Sequence, residues 1–196
     1  PNDTGDEFIE LFNTSNEAID LTGFELSGGT LGNFVLEPGA YVILTSSSNV
    51  PGYQGFGDVL AVSSWNTLTN GGEQLILRDN LGNLVDSLTY DLSWYQDANK
   101  ADGGWSLEQI NPERICSDEN NWSASVATAG GTPGSQNSIF DNSADVIGPS
   151  ITEVNVLAND QISVVFNEII DAGSLAGATF TIDQGIGVGN STLNLP

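Results

Sequence analysis

Residues 7–26, "EFIELFNTSNEAIDLTGFEL", decide the fold of this chain. The stretch holds two apolar segments, and neither keeps the spacing of an amphipathic helix. Between them lies "NTSNE" (13–17), whose Asn, Thr and Ser residues favour a turn. The first segment predicts a strand, and a Glu10 carboxylate within a strand needs either solvent or a hydrogen-bonding partner. The stretch therefore predicts β-structure from the start of the chain.

Further strands are predicted along the chain. In "NFVLEPGAYVILTSS" (33–47) a Pro-Gly turn separates two strands, and in "TNGGEQLILRDNLGNLVDSLTY" (69–90) the turn "RDNLGN" joins the two arms of a hairpin. A long Ser/Gly-rich loop is expected at 46–64, a short strand at 105–110, and an irregular tail after it. Core candidates are Ile19, Leu21, Leu26, Phe34, Leu36, Val42 and Leu44.

The character of the chain changes after Ser138. "IFDNSADVIGP" (139–149) is polar, ends in Gly-Pro and reads as a linker. Residues 150–196 follow with two strands about an Ala-Asn-Asp turn and a third strand, "ATFTID". An independent sandwich needs about seven strands and roughly 100 residues. We therefore predict a full domain over 1–138 and a partial β-sandwich over 150–196.

The composition excludes several classes of function. Twenty-six acidic residues face three basic ones, for a net charge of −23, which opposes binding to nucleic acid and to anionic membranes. The chain has no His, so serine triads and His-based zinc sites are excluded. Its single cysteine, Cys116, cannot form a disulfide within this sequence. No apolar run is long enough to span a membrane.

Carboxylates suggest two kinds of site. Acid–base catalysis would use Glu7 with Glu10, or Asp86 with Asp91, but close pairs arise by chance in so acidic a chain. Calcium is the better hypothesis, because oxygen ligands are spaced along two loops. The ligand candidates are Asp97, Asn99 and Asp102 in "DANKADGG", and Asp141 and Asp145 in the predicted linker. Solvated acids without a bound ion are the competing interpretation.

Aromatic residues suggest a third kind of site. Trp94 and Tyr95 lie in the polar stretch "SWYQD", and Tyr53 lies in the predicted long loop. Exposed rings of this kind stack on sugar faces, so these residues are the candidates for a glycan site. The competing interpretation is that a loop Trp covers the core of a sandwich.

The order of motifs resembles the bacterial version of the lamin tail domain. The motifs are "EFIELFNTS", "IDLTGFELS", "FVLEPGAYVILT", "LTNGGEQLILRDNLGNLVDSLTY", "GGWSLEQINP" and "GGTPGSQNS". The resemblance implies an all-β, immunoglobulin-like β-sandwich in which Ile9 and Leu11 face the core. The family has one more strand before the position of Pro1, so the sheet edge near Phe8 to Phe12 is expected either to stay unpaired or to be completed by other residues.

The resemblance also implies a function. Residues 150–196 are similar to the first part of a bacterial surface immunoglobulin-like repeat, and such modules occur in secreted and outer-surface proteins of Bacteroidetes-type bacteria. We therefore predict a non-enzymatic structural or interaction module of an extracellular, cell-surface or filament-forming protein. Its partners would be neighbouring domains or subunits. The alternatives are a carbohydrate-binding adhesin and an accessory domain of a larger secreted hydrolase.

Overall fold

The computed structural model describes residues 7–114, 119–143, 148–166 and 170. Contacts divide the chain into two compact units, Pro1–Asn142 and Ser143–Pro196. The division falls inside the stretch of polar residues that the sequence marks as a linker. Within the described residues, no helix combines the length and the apolar character needed to cross a membrane.

The described part of the first unit is built almost entirely from strands, which confirms the all-β prediction. The strands are β1 (Ile9–Phe12), β2 (Ile19–Asp20), β3 (Glu25–Leu26), β4 (Gly29–Leu31), β5 (Val35–Leu36), β6 (Tyr41–Thr45), β7 (Val59–Ser63), β8 (Gly72–Arg78), β9 (Leu84–Asp91), β10 (Leu107–Gln109) and β11 (Trp122–Ala124). One helical turn, α1 (Val50–Tyr53), and two 3₁₀ turns, Leu92–Tyr95 and Glu119–Asn121, complete this set.

Seven strands form one sheet, in the order β1-β6-β7-β4-β3-β8-β9. The sheet curls, so buried side chains from its two halves meet in one core. The buried members of that core are Leu21, Phe24, Leu26, Leu31, Leu36, Val42, Leu44, Val62 and Leu77. Ile9, Leu11, Ile19 and Phe34 pack against it. The core residues predicted from the apolar pattern are therefore confirmed.

The expected loop over 46–64 is wrong. This stretch contains α1 and strand β7, and β7 lies parallel to β6, with Ile43 opposite Val59. A parallel neighbour is invisible to hairpin signals, because its partner is reached by a crossover and not by a tight turn. The run "VLAVS" forms this strand, and its Val62 is 4% exposed.

Strand β6 is covered on both faces. Val42, Ile43 and Leu44 are all 0% exposed, although Ile43 points to the side opposite the other two. The second layer over this outer face includes parts of residues 105–142, in which β10 pairs with β11. The predicted irregular tail therefore contains a short sheet.

The described part of the second unit is a hairpin. Strand β12 (Ile151–Ala158) pairs antiparallel with β13 (Gln161–Phe166) about the predicted turn. The stretch predicted as the third strand lies outside the described residues. Cys116 also lies outside them.

Candidate interaction surface

Strand β1 is one end of the curled sheet, and its outer edge is unpaired within the described residues. The Ile43 amide donates to the Asp58 carbonyl at 2.9 Å, so the backbone of Ile43 faces β7. Glu10 stands opposite Ile43 and therefore makes no backbone bonds to β6. By alternation, the N–H and C=O groups of Phe8, Glu10 and Phe12 point away from the sheet. No strand of the described residues lies beyond them.

A pocket of about 200 Å³ lies beside this edge, and its lining is polar as well as apolar, with Ser27 and Asn66 among the polar residues. It reaches from Ile9 on β1 to Glu73, Gln74 and Leu75 on β8. The remaining apolar lining comes from Leu26, Val62, Trp65 and Leu68. The pocket therefore lies between β1 and the other end of the curled sheet, where β8 carries the terminal strand β9.

The β9 edge is also unpaired within the described residues, but it carries its own protection. The backbone N–H and C=O of Ile76 form hydrogen bonds with Ser27, next to β3, and therefore face away from β9. Ser87 stands opposite Ile76, so the backbone groups of Ser87 point away from β8 toward the free edge. The Asp86 carboxylate accepts the Ser87 N–H at 2.8 Å. Asp86 stands opposite the buried Leu77 and so lies on the inner face of the sheet. An inward-pointing charge on an edge strand opposes the addition of another strand.

The outer face of β1 carries two aromatic contacts and one carboxylate. Phe8 packs against Tyr53 with ring centroids 5.3 Å apart, and Phe12 stacks on Tyr41 at 4.5 Å. Between them, the Glu10 carboxylate accepts the Gly134 N–H at 2.5 Å. The partner that the sequence required for Glu10 is therefore a backbone amide of the "GGTPGSQNS" motif.

Glu108 on β10 holds the same motif from the other side. Its side chain is only 3% exposed. One carboxylate oxygen accepts from the Thr132 hydroxyl at 2.9 Å, and the other accepts from the Ser138 amide at 2.8 Å and the Ser138 hydroxyl at 2.7 Å. Ser106 adds a longer bond of 3.3 Å. The sequence did not single out Glu108 as a site residue, although "SLEQINP" and "GGTPGSQNS" contain these groups.

The carboxylates of Glu10 and Glu108 thus both contact residues 130–138. The surroundings of Glu10 shift its pKa. Burial raises the pKa of Glu10 to about 7; the Gly134 N–H acts in the opposite direction, and the Glu108 charge adds to the rise. Burial and the Glu10 charge also raise the pKa of the Tyr41 hydroxyl. Glu10 is therefore poised to change its charge near neutral pH.

The glycan candidates do not form an exposed platform. Trp94 is 8% exposed and packs against Trp122 with ring centroids 6.0 Å apart. Tyr53 is 9% exposed, and the half-buried Tyr95 donates to the Trp105 carbonyl at 3.4 Å. Trp94 and Tyr53 offer no open ring face for stacking on a sugar.

The loop candidates for calcium include a carboxylate that closes a local turn. Asp97 accepts the Asn99 amide at 3.0 Å, which closes a local turn, and Asn99 and Asp102 are exposed. In the described part of the chain, no group of three or more acidic or Cys residues is placed to hold a metal ion. Calcium binding by this loop stays a prediction.

The same loop contains the positively charged side chain of Lys100. The Lys100 ammonium donates to the Ser125 carbonyl at 2.7 Å and lies 4.6 Å from the centre of the Trp105 ring. These contacts fix the loop to the body of the first unit. Of the linker candidates, Asp141 is exposed and its amide donates to the Ile110 carbonyl, whereas Asp145 lies outside the described residues.

The paired carboxylates do not face a common centre. Glu7 accepts from the Leu68 amide at 2.9 Å and from the Trp65 indole at 3.4 Å, whereas Glu10 is directed to Gly134 on the outer face. In the second pair, Asp86 and Asp91 lie five positions apart along β9, and each caps an amide of its own neighbourhood. The geometry offers neither pair a shared substrate position.

The comparison with protein families gives one match. Residues 1–91 match the family model of the lamin tail domain. This domain has an immunoglobulin-like fold, and the match confirms the predicted fold class. No significant match was found among curated proteins or solved structures. The match ends with β9, so the motifs that contain Glu108 and Gly134 lie beyond it.

Proposed function

We propose that this chain is a non-enzymatic interaction module of a secreted or cell-surface bacterial protein, and that the β1 edge joins it to a neighbouring module or subunit by strand addition. The single observation that carries the proposal is the row of outward backbone groups at Phe8, Glu10 and Phe12. An added strand would satisfy these groups with main-chain hydrogen bonds.

The pocket beside β1 supports the same edge. A strand bound along β1 would place alternate side chains over Ile9 and the apolar residues of the pocket. Apolar side chains of moderate size fit a pocket of about 200 Å³. The expected partner is therefore an extended segment that alternates apolar and polar residues.

The contrast with β9 gives the proposal its specificity. Asp86 covers an outward amide of β9, whereas no described carboxylate binds the outward amides of β1. An incoming strand would have to displace the Asp86 carboxylate from β9 but meets no such competition at β1. Of the two edge strands of the sheet, β1 should therefore accept an added strand more readily than β9.

The match to the lamin tail domain supports a structural role, because that domain is an immunoglobulin-like module and not an enzyme. The secreted or surface setting rests on the resemblance of the motifs and on the strong acidity of the chain.

A synthetic peptide tests the proposal. The peptide alternates valine and threonine between terminal lysines, and its binding to the full chain is followed by calorimetry. Phe8→Ala and Phe8→Pro form a matched pair, because both remove the ring and only proline removes the outward N–H. We expect the alanine variant to bind and the proline variant to bind about 2- to 13-fold more weakly, which corresponds to about 0.5–1.5 kcal/mol for one lost main-chain hydrogen bond.

A control separates strand addition from simple charge attraction. A peptide with the same composition and a central proline keeps its charge but cannot extend a sheet. Equal binding of the two peptides, or equal binding by the two Phe8 variants, would contradict strand addition at β1.

A further inference from the structure

The contacts of residues 130–138 suggest that the attachment of this segment depends on pH, a property beyond the proposed function. Two carboxylates from different layers hold this segment: Glu10 from the main sheet through Gly134, and Glu108 from the small sheet through Thr132 and Ser138. We propose that Glu10 is a proton-operated latch, which fastens residues 130–138 to the outer face of β1 when it is protonated and loosens them when it is ionised.

The segment fits closely against the first unit. Gly134 has φ +76°, and a Cβ at this position would overlap the Phe56 carbonyl oxygen. A Cβ at Gly131 would lie 2.8 Å from the Ser106 hydroxyl oxygen. The backbone of the segment therefore packs directly against both neighbours.

The two carboxylates are unequally supported. Glu108 accepts hydrogen bonds from several hydroxyl and amide donors. Glu10 has the single amide of Gly134, is half-buried, and experiences the charge of Glu108. An added proton therefore relieves an uncompensated charge at Glu10.

Among the described residues, the groups that face Glu10 do not supply a positive charge. β6 contributes the Tyr41 hydroxyl, β10 contributes the Glu108 carboxylate, and residues 130–138 contribute the Gly134 amide. The helical turn α1 places the Tyr53 ring on the neighbouring Phe8. Of these, Glu108 is the group whose charge raises the pKa of Glu10.

The direction of the response follows from the pKa of Glu10. The pKa is about 7 when the segment is fastened, against an ordinary value of 4.5, so the fastened state binds the proton more tightly. The fastened state is thus favoured below about pH 4.5 and loses this advantage progressively up to about pH 7. A complete shift of this size corresponds to about 300-fold in the opening equilibrium; since Glu10 is partly solvated, we expect at least about tenfold.

Amide exchange in the full chain tests the latch. The protection factors of the Gly134 and Ser138 amides are measured by NMR between pH 5.5 and 8, after correction for intrinsic exchange. We expect the protection of Gly134 to fall severalfold over this range, and by up to about 30-fold for the complete shift, because part of the response lies below pH 5.5. In Glu10→Gln, which cannot ionise, protection should stay constant. Glu25→Gln, a change at an exposed acid on β3, should keep the response of the unmodified chain.

Two results would overturn the proposal. One is constant protection of Gly134 in the unmodified chain, and the other is an unchanged pH response in Glu10→Gln. If Glu10→Gln does not fold, the carboxyl carbon of Glu10 is titrated directly in the unmodified chain, and a midpoint near 4.5 would refute the latch. The result does not depend on whether β1 accepts a strand.

Discussion

Replacing Glu108 by alanine should destabilise the first unit strongly. The change removes a carboxylate from a residue that is 3% exposed. The Ser138 N–H, which donates to this carboxylate at 2.8 Å, then loses its acceptor. Hydrogen bonds to a charged group contribute about 1.5–3 kcal/mol each. The Ser138 hydroxyl can turn to Ser125, which is 3.0 Å away, so not every bond is lost outright.

The expected loss in the free energy of unfolding is therefore about 3 kcal/mol, the equivalent of roughly two such bonds after this compensation. For a domain of this size the loss lowers the melting temperature by roughly 6–12 °C. Glu108→Gln should lose less, because the amide keeps one acceptor oxygen and nearly the same side-chain volume; its N–H₂ group meets a donor, so part of the loss should remain.

Tryptophan fluorescence during urea unfolding of the full chain measures this loss. All four tryptophans lie in the first unit, so the signal reports on that unit alone. Glu37→Ala, a change at an exposed glutamate, is the matched control and should stay within about 0.5 kcal/mol of the unmodified chain. A loss below about 1 kcal/mol in Glu108→Ala would refute the view that this carboxylate holds residues 130–138 in place.

Two further changes test the packing by the same assay. Gly134→Ala should lower the free energy of unfolding by more than about 2 kcal/mol, because φ is +76° and the new Cβ overlaps the Phe56 carbonyl oxygen. Its control, Gly39→Ala, has a similar φ of +71° but lies in open space and should lose about 1 kcal/mol. Equal losses would contradict the close approach of Gly134 to Phe56. Leu44→Ala should cost about 2–5 kcal/mol since Leu44 is 0% exposed, whereas Leu81→Ala, at 83% exposure, should stay within about 0.5 kcal/mol; a small loss at Leu44 would contradict the proposed core.

The sequence predicted the elements whose signals are local. Alternation marked Leu36, Val42 and Leu44 as core residues, and Asn and Gly marked the turn between β8 and β9. These features depend on neighbours within a few positions, and all of them are present. Ile43 was missed because alternation assigns it to the solvent side, and only the second layer buries it.

The features that the sequence missed depend on distant parts of the chain. Strand β7 pairs with β6 in parallel, and no turn signal marks such a pairing. Glu10 and its partner Gly134 are 124 positions apart, so the need for a partner could be predicted but its identity could not. Trp94 lies in a polar stretch, yet its ring is buried against Trp122, which is distant in sequence.

The most direct test of the central claim is residue-resolved amide exchange along β1, with and without the valine–threonine peptide. In the free chain, the amides of Ile9 and Leu11 should be protected by β6, and the amides of Glu10 and Phe12 should exchange rapidly. With the peptide, Glu10 and Phe12 should become protected, while the outward amides of β9 should not. Slow exchange of Glu10 and Phe12 in the free chain, or no gain of protection with the peptide bound, would contradict an open β1 edge that accepts a strand.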